Sequence, residues 1–192
     1  MDGDHPRPGR KRSEESRAAI LLATLELAGE VGYAGLTIEG IAARSGAGKQ
    51  TIYRWWSSKA DVLLDALATK ADLRVAIPDE GSFAADLDVF LKRTFELGAK
   101  KQVADGLRAL MAQAQIDPEF GARFRTEFLF RRRDALGEIV ERARERDELP
   151  PGIAPGTVID IVFGTLWYRL LATLEPPSPE LAEELVAVLA KA

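Results

Sequence analysis

Apolar residues recur at three- and four-residue steps along almost the whole chain. The first series is Ile20, Ala23, Leu27, Ala28 and Val31, a spacing that predicts a helix with one buried face. Ser13 stands as its N-cap and Gly32 as its end. Thr37 is placed to cap a second helix that contains Gly40 and is broken by Ser45-Gly46. A short third helix is predicted over about 49–55, and a fourth, opened by Ser57-Ser58, over about 59–75. The turn cluster VAIPDEGS (75–82) follows and is the clearest boundary. Beyond it the pattern predicts helices near 82–98, 102–114, 118–146, 155–174 and 179–191, with Pro118 suited to a first helical turn and a break near Arg131–Arg133. LPPGIAPG (149–156) and EPPSP (175–179) read as loops. No strand and no repeat of fixed period stands out. The expectation is an all-α protein of about nine helices.

Composition narrows the chemistry. The 192 residues are 46% apolar and 29% charged, the balance of a globular chain with one good-sized core or a small domain joined to a larger one. No apolar run reads as long enough to cross a bilayer, and the N-terminus has no apolar leader core, so a cytoplasmic location is expected. Cysteine is absent and the one histidine, His5, lies near the N-terminus. Thiol chemistry, a histidine triad and a histidine-rich metal site therefore lack raw material, and no cofactor is expected. The charge is uneven: residues 1–59 carry a net +2 and the remainder a net −6. A basic end on an acidic body points to a local contact with a polyanion.

The cations gather with large aromatics in AARSGAGKQTIYRWWSSKADVLL (42–64). A phosphate-binding P-loop fits poorly there. Its first glycine would fall on Ala43, its hydroxyl on Gln50, and the preceding segment is helical. Two short helices about a tight turn fit better. Ala42 is small where the helices would cross, Gly46 permits the turn, and Ile52 points back toward Ile38 and Ile41. This is helix-turn-helix spacing, and the second helix of such a pair enters the major groove by its N-terminal end. Lys49 would donate to guanine and Gln50 would pair with adenine. Thr51 and Tyr53 carry hydroxyls suited to phosphate oxygens. Lys59 and Thr37, each at a helix start, would hold backbone phosphates. Arg44, Arg54 and Trp55 complete the candidate DNA-facing set. Trp56 reads as core, Trp55 either faces DNA or covers a hydrophobic seam, and Arg54 and Gln50 can also be read as solvated surface. Arg10, Lys11 and Arg12 are either a loose tail or an arm that reaches DNA.

These residues give the chain a resemblance to TetR-type transcriptional regulators. It runs through GLTIEGIAARSGAGKQTIYRWWSSKADVLLDAL (35–67), with Thr37, Tyr53, Trp56 and Lys59 in the family's pattern. Gly48 and Ser57 depart from it, standing where serine and proline are frequent. DPEFGARFRTEF (117–128), RARERDELPPG (142–152) and VIDIVFGTLWYRLLATLEPPSPELAEELV (158–186) are similar to one C-terminal type of the family. The resemblance implies a flexible basic arm over 1–13, a three-helix DNA-binding domain over 14–60, and a helical ligand-binding and dimerisation domain over 61–192. A connecting helix over about 59–75 would join the two.

It further implies a homodimer on a palindromic DNA operator, a repressor released by a small apolar or amphipathic ligand. The dimer surface is expected on Val158, Ile161, Val162, Thr165, Leu166 and Leu170, with Leu181, Leu185, Val188 and Leu189, unless those faces pack within one chain. Phe90, Leu110, Met111, Phe124, Phe128, Phe163 and Trp167 are candidates to line a ligand cavity, or else to fill the core. Gln113, Gln115, Arg125, Tyr168 and Arg169 are the few polar candidates beside them. Two other readings stay open: a helical small-molecule-binding protein whose DNA head has decayed, and a regulator without ligand response. No nucleophile–base pair supports an enzyme.

Overall fold

A computed structural model describes the backbone of residues 8–74 and 77–190 and the side chains of residues 13–70 and 77–190. Described residues fall into two compact units that divide between Leu67 and Ala68, within the helix expected to join two domains.

The first unit is built on α1 (Pro8–Gly35), α2 (Ile38–Ser45), α3 (Lys49–Trp55) and the start of α4 (Lys59–Arg74). α1 begins at Pro8, so Ser13 lies inside the helix and does not cap it. Residues 8–13 of the expected arm are therefore helical, while residues 1–7 and the side chains of Arg10, Lys11 and Arg12 lie outside the described residues. Gly32 interrupts α1 at φ +68°, ψ 175°, a conformation open to glycine. Thr37 caps α2: its Oγ1 accepts from the Gly40 N–H at 3.0 Å. Gly46 then turns the chain at φ +69° in the left-handed region. Ile38, Ile41 and Ile52 are buried and lock α3 to α2.

One expectation is corrected here. The stretch Ser13–Gly35, 23 residues long, has the length and composition of a membrane span. It packs as the first helix of a globular head: Ile20, Leu21, Ala23, Thr24 and Ala28 are buried, and Glu26 and Glu30 pair with Arg44.

The second unit holds α5 (Phe83–Ala99), α6 (Lys101–Ile116), α7 (Pro118–Phe124), α8 (Arg131–Glu145), α9 (Pro155–Tyr168) and α10 (Pro179–Leu189). Ser82, Asp117 and Ser178 cap α5, α7 and α10 through their side-chain oxygens. A π-helical turn, Arg125–Phe130, joins α7 to α8 without a gap, and a second, Arg169–Thr173, extends α9. The break expected near Arg131–Arg133 is thus a widened turn just before them. Counted as one run, 118–145 brings the described residues to nine helices, all-α as expected. α5 packs on α6, α8 and α10, α6 on α7, and α8 on α9. Gly121 lets α6 and α7 close, since a Cβ there would sit 2.6 Å from the Ala114 carbonyl oxygen.

At the start of this unit a fully buried carboxylate, Asp86, gathers the loop before α5. Its Oδ1 accepts from the Glu80 N–H at 2.5 Å, and its Oδ2 lies 3.3 Å from Nη2 of both Arg142 and Arg146. Arg142 also donates to the Pro78 carbonyl, and Glu148 accepts from the Phe83 N–H at 2.6 Å. A carboxylate this deep persists because each oxygen has donors.

The expected dimer stripe is corrected by burial. Val158, Val162, Leu166, Leu170, Leu181, Leu185 and Leu189 are buried within the single chain. They are core of the second unit. α9 is apolar almost all round, so three- and four-residue steps pick out its inner face as readily as its outer one. Ile161 and Thr165 are half-buried and Val188 is exposed. With Tyr168, Leu171 and Leu174, all exposed, they belong to largely apolar surface that the described residues leave uncovered.

Candidate nucleic-acid interface

α3 is short, and its one fully buried side chain, Ile52, fixes which way the rest point. Lys49, Gln50, Tyr53 and Arg54 are exposed, and Thr51 and Trp55 half-buried. The helix opens on Gly48, which offers no side-chain cap. Trp56 closes it in the core, meeting the Trp55 ring edge-on at 5.4 Å. The Arg54 guanidinium lies over Trp55, 5.4 Å from the ring centre. Lys49, Gln50, Thr51, Tyr53, Arg54 and Trp55 thus share one short helix behind the Gly46 turn.

Thr37 is exposed and its oxygen already holds the α2 cap. Its hydroxyl hydrogen remains to be given outward. Lys59 is anchored more firmly than its sequence position implied. Its ammonium donates to the carbonyls of Tyr33 and Leu36, 2.9 Å each, and sits 4.5 Å over the Tyr33 ring. It therefore caps the end of α1 as well as opening α4. Burial pushes the Tyr33 phenol pKa up.

Arg44 is the candidate that the geometry separates from the others. Its Nη1 and Nη2 donate to the two carboxylate oxygens of Glu30 at 2.9 and 2.7 Å, with Glu26 at 3.5 Å. The Arg44 hydrogen bond holds the Glu30 carboxyl below its ordinary range, and Glu30 raises the guanidinium in turn. This forked pair fastens α2 to α1.

Three acidic residues in this unit escaped the sequence reading. Glu30 is one. Glu39, in the first turn of α2, accepts from the Lys49 ammonium at 3.1 Å. Its carboxyl pKa is lowered, first by its own backbone N–H and then by Lys49. Asp65 accepts from Arg17 Nη2 at 2.6 and 2.5 Å and from the Trp56 indole N–H at 3.0 Å. It ties α1, the end of α3 and α4 together. An open groove of about 440 Å³ lies beside it, lined by Ser13, Glu14, Arg17, Arg54, Trp55, Trp56 and Asp65. Arg17 and Asp65 are 48 residues apart, a separation at which no local pattern signals a pair.

In the second unit the ligand candidates are close-packed. Phe124 stacks on Phe120 at 6.3 Å and on Phe128 at 5.7 Å, and meets Trp167 edge-on at 6.4 Å. Phe90, Leu110, Phe124, Phe128 and Phe163 are buried, and Met111 and Trp167 half-buried. Arg132, also buried, lies over the Phe90 ring at 5.3 Å.

A turn-linked helix pair with a polar second helix, followed by a separate helical unit, defines a helix-turn-helix regulator. Comparison with known proteins gives the family. Residues 20–66 match the family described as bacterial regulatory proteins, tetR family, and residues 77–189 match the tetracyclin repressor-like C-terminal domain. The chain belongs to the TetR family of helix-turn-helix transcriptional regulators, proteins that bind DNA and dimerise. It is 30% identical over 178 residues to the HTH-type transcriptional regulator YdeS of Bacillus subtilis, covering 93% of this chain and 89% of that one. The crystal structure of the TetR family transcription regulator SCO0332 superimposes with a TM-score of 0.77 at 31% identity, covering 90% of this chain and 95% of that one. The fold is shared with the regulator FadR from Bacillus subtilis, solved in complex with stearoyl-CoA: TM-score 0.71, 18% identity, covering 89% of this chain and 96% of that one.

Proposed function

We propose that the protein is a dimeric repressor that binds a palindromic operator and is released by a small apolar or amphipathic molecule. One observation carries the DNA half of this reading. Behind the left-handed Gly46 turn, α3 commits Ile52 to the core and leaves Lys49, Gln50 and Tyr53 exposed. In the major groove Lys49 would meet guanine O6 and N7, and Gln50 adenine N6 and N7. Thr37, Thr51, Tyr53 and the anchored Lys59 would hold phosphates on either side and set the register. Arg44, spent on Glu30, would act by holding α2 in place.

The exposed Tyr168, Leu171 and Val188, with the half-buried Ile161 and Thr165, on α9, the turn that extends it and α10, support pairing with a second copy through a four-helix bundle. A dimer would set two α3 helices about 34 Å apart, one turn of DNA. The aromatic set around Phe124, beside the π-helical turn, supports an apolar ligand site, since such turns concentrate at functional positions. The stearoyl-CoA complex of the FadR fold neighbour is consistent with a ligand of that character. Ligand would act by preferring one tilt of α4, so its differential affinity for the two states is the whole coupling. Such a regulator works in the bacterial cytoplasm and needs no cofactor.

The test is binding of the purified chain to DNA upstream of its own and neighbouring genes, followed as salt is raised. Saturable binding to one palindromic fragment is expected, with log affinity falling linearly in log salt. Lys49→Ala should weaken it about fivefold or more, by about 1–3 kcal/mol if Lys49 reads a base. Equal, weak binding to every fragment would sink the reading. Unchanged operator affinity with every ligand tried would leave a constitutive regulator.

A further inference from the structure

Glu39 and Lys49 are ten residues apart and belong to different helices, yet their charged ends meet at 3.1 Å. Both side chains are exposed, Lys49 at 55% and Glu39 at 64%. The pair stands where α3 begins, so a donor and an acceptor face outward side by side. We propose that the two act together as a reader of one G·C base pair in each half-site, Lys49 donating to guanine and Glu39 accepting from cytosine. This rests on the DNA-binding reading above.

The spacing favours it. In a G·C pair, guanine O6 accepts and cytosine N4 donates, and because the two are hydrogen-bonded to each other they lie about 2.9 Å apart. A lysine–carboxylate couple of nearly the same separation and opposite sense fits that edge. Lys49 then finds N7 beside O6 as a second acceptor. On a T·A pair the ammonium would reach thymine O4 but meet the C5 methyl in place of N7. A backbone phosphate is the poorer target, because Glu39 would be carried against the same negative charge. Cytosine N4 gives that carboxylate a donor.

The experiment is selection from a randomised duplex library by the full-length protein, by Glu39→Ala and by Lys49→Ala. Each is checked for an unchanged thermal melt, which the exposure of both side chains favours. Wild-type protein should fix G·C at one position per half-site. Glu39→Ala should relax that position about tenfold and leave the others as they were, and Lys49→Ala should relax the same position. Tighter binding of Glu39→Ala to every duplex with an unchanged profile would overturn the proposal and make Glu39 a mere competitor for Lys49. Preference for A·T at the affected position would overturn it equally. In both cases the DNA-binding reading stands. If wild-type protein enriches no duplex, both fall together.

Discussion

In the first unit long polar side chains cross from helix to helix: Arg17 to Asp65, Arg44 to Glu30, Lys59 to the carbonyls ending α1. In the second unit such bonds persist, as from Arg142 and Arg146 to Asp86, but rings join them, with Phe120, Phe124, Phe128 and Trp167 in one contiguous set. The contrast follows from size and task. The short helices α2 and α3 bury only Ile38, Ile41 and Ile52, and α3 must leave one face polar. The angles between the head's helices are then set largely by directional bonds. The second unit is set chiefly by apolar area, which is stronger in sum and less exact in angle, with the buried Asp86 cluster as its directional exception.

The largest expected effect is on the ring set. Phe124→Ala should cost about 3–5 kcal/mol in denaturant unfolding, since it empties a fully buried site. Asp65→Ala should cost less, about 1–2 kcal/mol, because its side chain is 23% exposed and its loss frees Arg17 and the Trp56 indole together. DNA affinity should fall with it, as α3 loses its tie to α4. Equal costs for the two variants would erase the contrast. Gly48→Ser should gain only a few tenths of a kcal/mol in thermal unfolding. The site is already extended at φ −72°, ψ 144°, and an added Cβ meets its nearest neighbour at an ordinary 3.9 Å.

Acid should give the shallowest effect. Folding lowers the Glu30 carboxyl below its ordinary 4.5, so the folded protein binds fewer protons there than the unfolded chain. The Glu30–Arg44 contribution is full above pH 4.5 and fades as pH falls through the folded value. Glu30→Gln should flatten that part of a stability–pH curve, and added salt should do the same. A slope that survives both changes would assign it to another group.

What was legible in the chain was local. Thr37, Ser82, Asp117 and Ser178 mark helix starts because a cap acts within three residues. Gly46 and the run from Lys49 to Tyr53 give the turn and the exposed face for the same reason. Misreadings arise where the deciding partner is distant or the pattern is degenerate. Ser13 resembles a cap but lies inside α1. Val158 and Val162 sit on a helix apolar almost all round, so periodicity did not tell core from surface. The π-helical turns shift the register after Phe124 and Tyr168 without any residue that announces them. Glu39, Glu30 and Asp65 looked like ordinary surface acids because their partners lie 10, 14 and 48 residues away.

If Lys59 meets a DNA phosphate, as proposed, its anchoring changes the entropy of binding. A free lysine surrenders about 1.5–2 kcal/mol of rotamer freedom when it is fixed. Two carbonyls and the Tyr33 ring have already fixed this one. An ammonium has three hydrogens, and two are engaged within the protein. A phosphate that meets the third finds a cation whose ordering belongs to folding, so nearly all of the attraction remains for the complex. Lys49, held by one exposed carboxylate, has more freedom left to lose. Of the two lysines, Lys59 is the one set in place before DNA arrives.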